Sequence, residues 1–233
     1  MVNLTINGES YCFNGMSILE AARSVDIYIP TLCFLKNINK DSSCRVCLVE
    51  NKGRLIPACD TTIREGMEIL TNSSKVRNTR KTILELIAAD HNFDCGHCIK
   101  NSNCELKKLC EIYNIRENAF ESKANFDKKD ESSIAIIRDE SKCIKCGRCV
   151  AVCRNNQGVD VLCYSNRAQD YKITTEFDKD LNDSSCIFCG QCSKVCPVGA
   201  IYERENLNDL YSAIDNKSKH VVVQIAPAVR VSI

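Results

Sequence analysis

The feature that most constrains this chain is a cysteine run written twice. "CIKCGRCVAVC" begins at Cys143, and "CIFCGQCSKVC" begins 43 positions later at Cys186. Each run spaces its cysteines by two, two and three residues: Cys143, Cys146, Cys149, Cys153, then Cys186, Cys189, Cys192, Cys196. Two intervening residues let the chain curl until successive thiols converge on an object about as wide as the turn. Gly147 and Gly190 permit the positive φ that such a curl favours. This is the spacing of bacterial two-cluster iron–sulfur proteins, in which the fourth cysteine of each run ligates the other cluster. Crossing therefore assigns Cys143, Cys146, Cys149 and Cys196 to one [4Fe–4S] site, and Cys186, Cys189, Cys192 and Cys153 to another. Pro197 follows the second run as expected, while Arg154 stands after the first. A pair of zinc knuckles competes, but zinc gathers four thiolates in one tetrahedron and has no use for the doubled spacing.

The chain has 18 cysteines in 233 residues, with few aromatics and no Trp. Metals or disulfides must then supplement core burial. The N-terminus "MVNLTINGESY" has neither a basic segment nor an apolar one, so no secretory signal is expected. No apolar run approaches the length of a membrane span. A reducing, cytoplasmic setting favours thiolates as metal ligands. The net charge of +1 argues against a nucleic-acid binder.

Val2, Leu4 and Ile6 alternate as a half-buried strand, and Asn7-Gly8 signals a hairpin with Tyr11 and Phe13 on the return. Ser17 and Glu20 form a capping box before a helix with Ile18, Leu19, Ala22 and Val25 inward. A second helix starts near Ser73 or Ser74 and ends near His91, and a third spans 104–113. Residues 116–133 are polar and read as a linker or surface loop. An amphipathic helix carries Leu207, Leu210, Tyr211 and Ile214, and the apolar run 221–226 reads as a strand covered on both faces.

Two further constellations carry chemistry. Cys33, Cys44, Cys47 and Cys59 combine a long loop, a C-x2-C pair and a distant last cysteine, as plant-type [2Fe–2S] proteins do, with a longer first gap. A structural zinc site competes here. His91, Cys95, Cys98 and Cys104 form the third group, and on spacing a Cys₃His zinc site and a [4Fe–4S] site compete evenly. Cys12, Cys110 and Cys163 are taken as buried structural residues, and His97 and His220 as loop residues. Lys75, Arg77, Arg80 and Lys81 could dock an acidic carrier, but a solvated helix face explains them as well. No nucleophile, acid–base pair or dinucleotide fingerprint appears, so no catalytic residue is assigned.

The segments "IPTLCFL", "CRVCLVE", "ACDTTIREGMEI", "CGHC", "CIKCGRCV", "CIFCGQC", "CPVGAI" and "HVVVQIAPAVRVSI" resemble, in the same order, the N-terminal accessory region of the clostridial-type multi-cluster [FeFe] hydrogenases. The resemblance implies an α+β architecture: a β-grasp [2Fe–2S] ferredoxin-like domain over 1–78, a helical His–Cys₃ [4Fe–4S] domain over 79–120, a linker over 121–133, a two-cluster ferredoxin-like domain over 134–210, and over 211–233 the first helix and strand of a catalytic domain that lies beyond this chain. It makes His91 a ligand, giving one [2Fe–2S] and three [4Fe–4S] clusters. It also implies an electron relay between a carrier such as ferredoxin and a hydrogen-activating H-cluster on a catalytic domain or subunit, whose own motifs this chain lacks. Similar modules occur in complex I relatives and formate dehydrogenases, which form the alternative reading. A zinc-binding interaction protein is the alternative of another class.

Overall fold

In the computed structural model, which describes residues 1–116, 120–121 and 129–232, the expected N-terminal hairpin is present. β1 (Val2–Ile6) turns through Asn7 and Gly8, at φ 54° and 92°, into β2 (Glu9–Phe13). Two left-handed residues match the right-handed twist of the strands they join. Ser17 caps α1 (Ile18–Ser24), and Glu20 accepts from the Ser17 N–H at 3.1 Å in return. β3 (Leu48–Asn51), β4 (Arg54–Pro57) and β5 (Met67–Leu70) complete a five-stranded sheet in the order β2-β1-β5-β3-β4. β5 runs parallel to β1, and the other pairs are antiparallel. Ile18, Leu19 and Ala22 of α1 bury against Leu4, Ile6, Val49 and Ile69 of the sheet. One helix across a mixed sheet is the β-grasp arrangement.

α2 (Ser74–Ala89) starts where Ser73 accepts from the Val76 N–H at 3.2 Å, and α3 (Glu105–Ile112) follows after a loop. Their core joins Leu84, Leu106 and Leu109 to Leu32, Val46 and Val198. Loops that carry cysteines in three different stretches of sequence thus share one apolar seam. Arg80 does not belong to the expected solvated face. It is 2% exposed, and its Nε and Nη2 donate to the Leu48 carbonyl at 3.0 and 2.6 Å. Helical period places it on the same side as Val76 and Leu84, facing the end of β3. Arg80→Met leaves that carbonyl without its charged donor. It should cost about 2 kcal/mol in urea unfolding, whereas Lys81→Met on the exposed side should cost almost nothing.

β6 (Lys129–Asp130), β7 (Ile136–Asp139) and β10 (Ile201–Glu203) form a three-stranded sheet in the order β10-β7-β6. Between them run α4 (Arg148–Ala151), a β8 (Leu162–Ser165) and β9 (Lys172–Thr175) hairpin, and α5 (Gln191–Val195). Of the linker expected over 121–133, residues 122–128 lie outside the described residues. Its end is structural rather than a linker: Asp130 is 6% exposed and accepts from the Leu181 N–H at 2.8 Å. Burial is the largest single influence on its carboxyl and acts upward, but donors from Ser132 and Leu181 together hold it below the usual carboxylate range.

The chain divides into two units, Met1–Glu203 and Arg204–Ile233. The second contains α6 (Leu207–Asp215), as expected, and α7 (Pro227–Ser232). The strand expected over 221–226 is not formed. A strand needs a neighbour to take its ladder hydrogen bonds, and among the described residues none pairs with it. Val222 and Val223 stand exposed. Cys12 also departs from expectation. It is exposed on β2, because the strand's alternation turns Tyr11 and Phe13 inward instead. Among the described residues no helix is long and apolar enough to cross a membrane.

Candidate iron–sulfur sites

The loop between α1 and β3, with Cys59 at the end of β4, gathers the first four thiols. Cys33 lies in hydrogen-bonding contact with Cys44 and Cys59, and Cys47 in contact with Cys59. Donation from Cys44 and Cys59 holds Cys33 well below the usual thiol range, and donation from Cys59 holds Cys47 below it. The donors Cys44 and Cys59 are pushed up correspondingly. Four thiols gathered this closely form a nest of soft donors suited to a cation-rich group. Arg45, at φ 56°, supplies the curl between Cys44 and Cys47.

His91 follows the C-cap of α2 and is 6% exposed. Burial pushes its pKa down to about 4, so the imidazole is neutral at pH 7. Its Nδ1 lies 3.0 Å from the Lys142 carbonyl. Nδ1 must therefore carry the proton, leaving Nε2 as a lone-pair donor, the usual arrangement behind a metal-bound histidine. Cys95, Cys98 and Cys104 share this loop. Burial and then the nearby Cys98 and Cys95 raise the Cys104 thiol, while the Lys107 N–H donates to its Sγ at 3.4 Å. Cys110 packs in the α2–α3 core as expected, close enough to Cys104 to feel it. His97 is exposed and bonds Asp94 at 2.9 Å, and His220 is exposed.

In the repeated half, Cys143, Cys146, Cys149 and Cys196 line one cavity. Cys153, Cys186, Cys189 and Cys192 line a second. The fourth thiol of each run thus faces the other run's cavity. The repeat extends to the backbone: Lys145 and Phe188 are left-handed at φ 56° and 54°, and Gly147 and Gly190 at 78° and 71°. Cys153 sits in a π-helical turn, Val152–Asn156, a local widening that redirects its side chain. Cys163, on β8, is half-buried and lines neither cavity. Among the described residues no three His, Cys, Asp or Glu side chains gather closely enough around one point to hold a single metal ion.

The donor set fits iron–sulfur groups. Burial pushes Cys143 up to about 11 and Cys192 to about 12, so an apolar cavity would keep these thiols protonated until a cationic group compensated them. Two buried polar atoms have no hydrogen-bond partner among the described residues, Ser42 Oγ and Arg148 Nε. Each belongs to one of the cysteine loops, where the sulfides of a bound cluster would supply an acceptor.

Comparison with known proteins agrees segment by segment. Residues 1–74 match the 2Fe-2S iron-sulfur cluster binding domain family, 80–119 the NADH-ubiquinone oxidoreductase-G iron-sulfur binding region, and 142–200 the 4Fe-4S dicluster domain. The chain is an iron–sulfur electron-transfer region homologous to those of hydrogenases and of the G-type subunits of NADH-quinone oxidoreductases. It is 42% identical over its full length to the NADP-reducing hydrogenase subunit HndD of Solidesulfovibrio fructosivorans and 40% identical to iron hydrogenase 1 of Clostridium pasteurianum, spanning 41% of the length of each. It is 38% identical over 75% of its length to a G-type subunit of the NADH-quinone oxidoreductase of Rhizobium meliloti (strain 1021), of which it spans 21%. A chain in the crystal structure of an NAD+-reducing [NiFe]-hydrogenase superposes with a TM-score of 0.81 at 28% identity, covering 87% of each chain.

Within this iron–sulfur region, single residues join one cysteine group to the next. Asn39 is 1% exposed, and its Nδ2 donates to the Cys33 carbonyl at 3.0 Å and the Cys146 carbonyl at 3.3 Å. The Ser43 hydroxyl donates to the same Cys146 carbonyl at 3.3 Å. His91 reaches the carbonyl of Lys142, the residue before Cys143. Gly199 lies so close to Cys98 that a Cβ would stand 2.5 Å from Cys98 Sγ. Gly199→Ala should therefore displace Cys98 and lower iron at the His91 group, read as acid-labile sulfide per chain. Unchanged sulfide would show that the loop simply yields. His91 was legible through its spacing and Gly199 left a trace as the glycine of "CPVGA", whereas Asn39 and Ser43 left none.

Proposed function

We propose that this chain is the electron relay of an [FeFe] hydrogenase of the clostridial kind. It passes electrons between a carrier such as ferredoxin and a hydrogen-activating centre on a catalytic domain or subunit outside this chain. The ligand sets are those assigned from spacing and, for the His91 group, from the family resemblance: Cys33, Cys44, Cys47 and Cys59 for one [2Fe–2S] cluster, and three [4Fe–4S] clusters on His91 with Cys95, Cys98 and Cys104, on Cys143 with Cys146, Cys149 and Cys196, and on Cys186 with Cys189, Cys192 and Cys153. The division is 1–78, 79–120 and 134–210, with 211–233 leading toward the catalytic part, and the setting is the cytoplasm. Bound clusters supply one-electron carriers, whose potentials the protein tunes by ligand charge, burial and hydrogen bonds to sulfur.

The observation that carries this reading is convergence. Asn39 ties the Cys33 loop to Cys146, and His91 is hydrogen-bonded to the residue before Cys143. Two groups near the N-terminal half thus abut one cavity of the repeated half, whose crossed fourth cysteines lead on to the second. That is the layout of two inlets feeding one line. Anaerobically purified protein should be brown, bleach with dithionite, and hold one two-iron and three four-iron clusters, about 14 iron atoms. A colourless protein with stoichiometric zinc would overturn it.

The match of 80–119 to the NADH-ubiquinone oxidoreductase-G region favours a second reading, the relay of a complex I-like NADH dehydrogenase. Co-purification with a flavin- and NADH-binding partner rather than a hydrogen-activating one would select it. His91→Cys should keep the iron at its site and lower that site's potential, since a thiolate adds a negative charge the neutral imidazole lacks. Loss of that cluster with no change in the potentials of the other clusters would count against direct ligation.

A further inference from the structure

We propose that Arg148, clamped by Glu105, sets the redox equilibrium of the Cys143, Cys146, Cys149 and Cys196 site by acting as a fixed positive charge and a hydrogen-bond donor to sulfur. The inference rests on reading those four cysteines as ligands of one cluster. Arg148 lies between two of them in sequence, and its side chain is 6% exposed. Nη1 and Nη2 donate to the two Glu105 carboxylate oxygens at 2.6 and 2.8 Å. That fork holds the guanidinium in one plane. Nε is buried and has no hydrogen-bond partner among the described residues, cysteine sulfur included.

A buried donor left unpaired is costly, and the acceptors this loop is built to surround are the inorganic sulfides of the proposed cluster. The Arg148 main-chain N–H already donates to the Cys146 thiol. The guanidinium interacts electrostatically with both Cys146 and Cys33, so its charge is felt at two neighbouring sites. Glu105 follows Cys104, which ties the pair to a third. Its side chain is 42% exposed against 6% for Arg148, so water screens the carboxylate more than the cation. The pair is neutral as a whole, but its more deeply buried partner is the cation.

Taking up an electron makes the site more negative, and a nearby cation stabilises the reduced form. Replacing Arg148 should therefore favour oxidation and replacing Glu105 should favour reduction. The test uses the full chain carrying its iron and sulfide, with potentials read by EPR-monitored redox titration. Arg148→Met should shift the reduced-to-oxidised ratio of this site at least tenfold toward oxidised, ~59 mV for a one-electron couple. The [2Fe–2S] site should follow by less. Glu105→Gln should shift the same site the other way. Arg148→Lys, which keeps charge but loses the Nε donor, should fall between wild type and Arg148→Met.

Shifts of the same sign in Arg148→Met and Glu105→Gln, or none beyond threefold in either, overturn the proposal. Should Arg148→Met fail to fold, Glu105→Gln decides alone, because an unchanged potential there removes the basis for a tuned field. Wild-type protein with about 14 iron atoms but unresponsive potentials overturns only this inference. Protein that takes up no iron and sulfide overturns the cluster reading and this inference with it.

Discussion

Combining Cys143→Ala with Cys196→Ala is expected to remove no more iron than either change alone. Each single variant should fall from about 14 to about 10 iron atoms, and the double variant should stay near 10, because on the proposed ligation both thiols serve one four-iron cluster. Cys143→Ala with Cys153→Ala should instead fall to about 6, two clusters having lost a ligand each. Residues acting on one object give non-additive losses and residues acting on separate objects give additive ones. The geometry behind this is the pair of cavities: Cys196 lines the one that holds Cys143, and Cys153 lines the other. If each run instead closed its own cluster, the two double variants would exchange results. The crossing also bears on stability. Cluster binding free energy is folding free energy where the apo site does not persist, so each lost cluster also unties one half of the repeat from the other.

Gly147→Ala is expected to destabilise the protein by about 3 kcal/mol, and Gly190→Ala by only about 1 kcal/mol. Both glycines are left-handed, at φ 78° and 71°, so alanine meets the same backbone penalty at each. The surroundings differ. A Cβ on Gly147 would stand 2.0 Å from the Tyr164 hydroxyl, whereas nothing lies within 4 Å of one on Gly190. Tyr164 is fixed there by a 3.1 Å bond from its hydroxyl to Asp41 and by stacking on Tyr171 at 5.7 Å. Removing the obstructing oxygen should help, so Tyr164→Phe should recover about 1 kcal/mol in the Gly147→Ala background and none in the Gly190→Ala background. Urea unfolding of the iron-loaded protein measures all four variants. Equal costs at the two glycines would mean that Tyr164 moves freely aside.

The sequence by itself determined what repeats and what alternates. The C-x2-C spacings, the Asn7-Gly8 turn, the Ser17–Glu20 capping box and the starts of α2 and α3 are local, and local geometry follows from a few neighbouring residues. Membership of Cys196 with Cys143 was legible too, but only because a doubled run carries its own symmetry. Tertiary structure decided the rest. Arg80 lies inward because β3 ends opposite it, and Cys12 faces water because its strand has one covered face. Residues 221–226 remain without a ladder because an apolar run specifies a strand only when another strand is there to pair with it. Asn39, Gly199, and Arg148 with Glu105 join groups that are far apart along the chain. Their positions come from the packing of whole loops, which spacing along one segment does not encode.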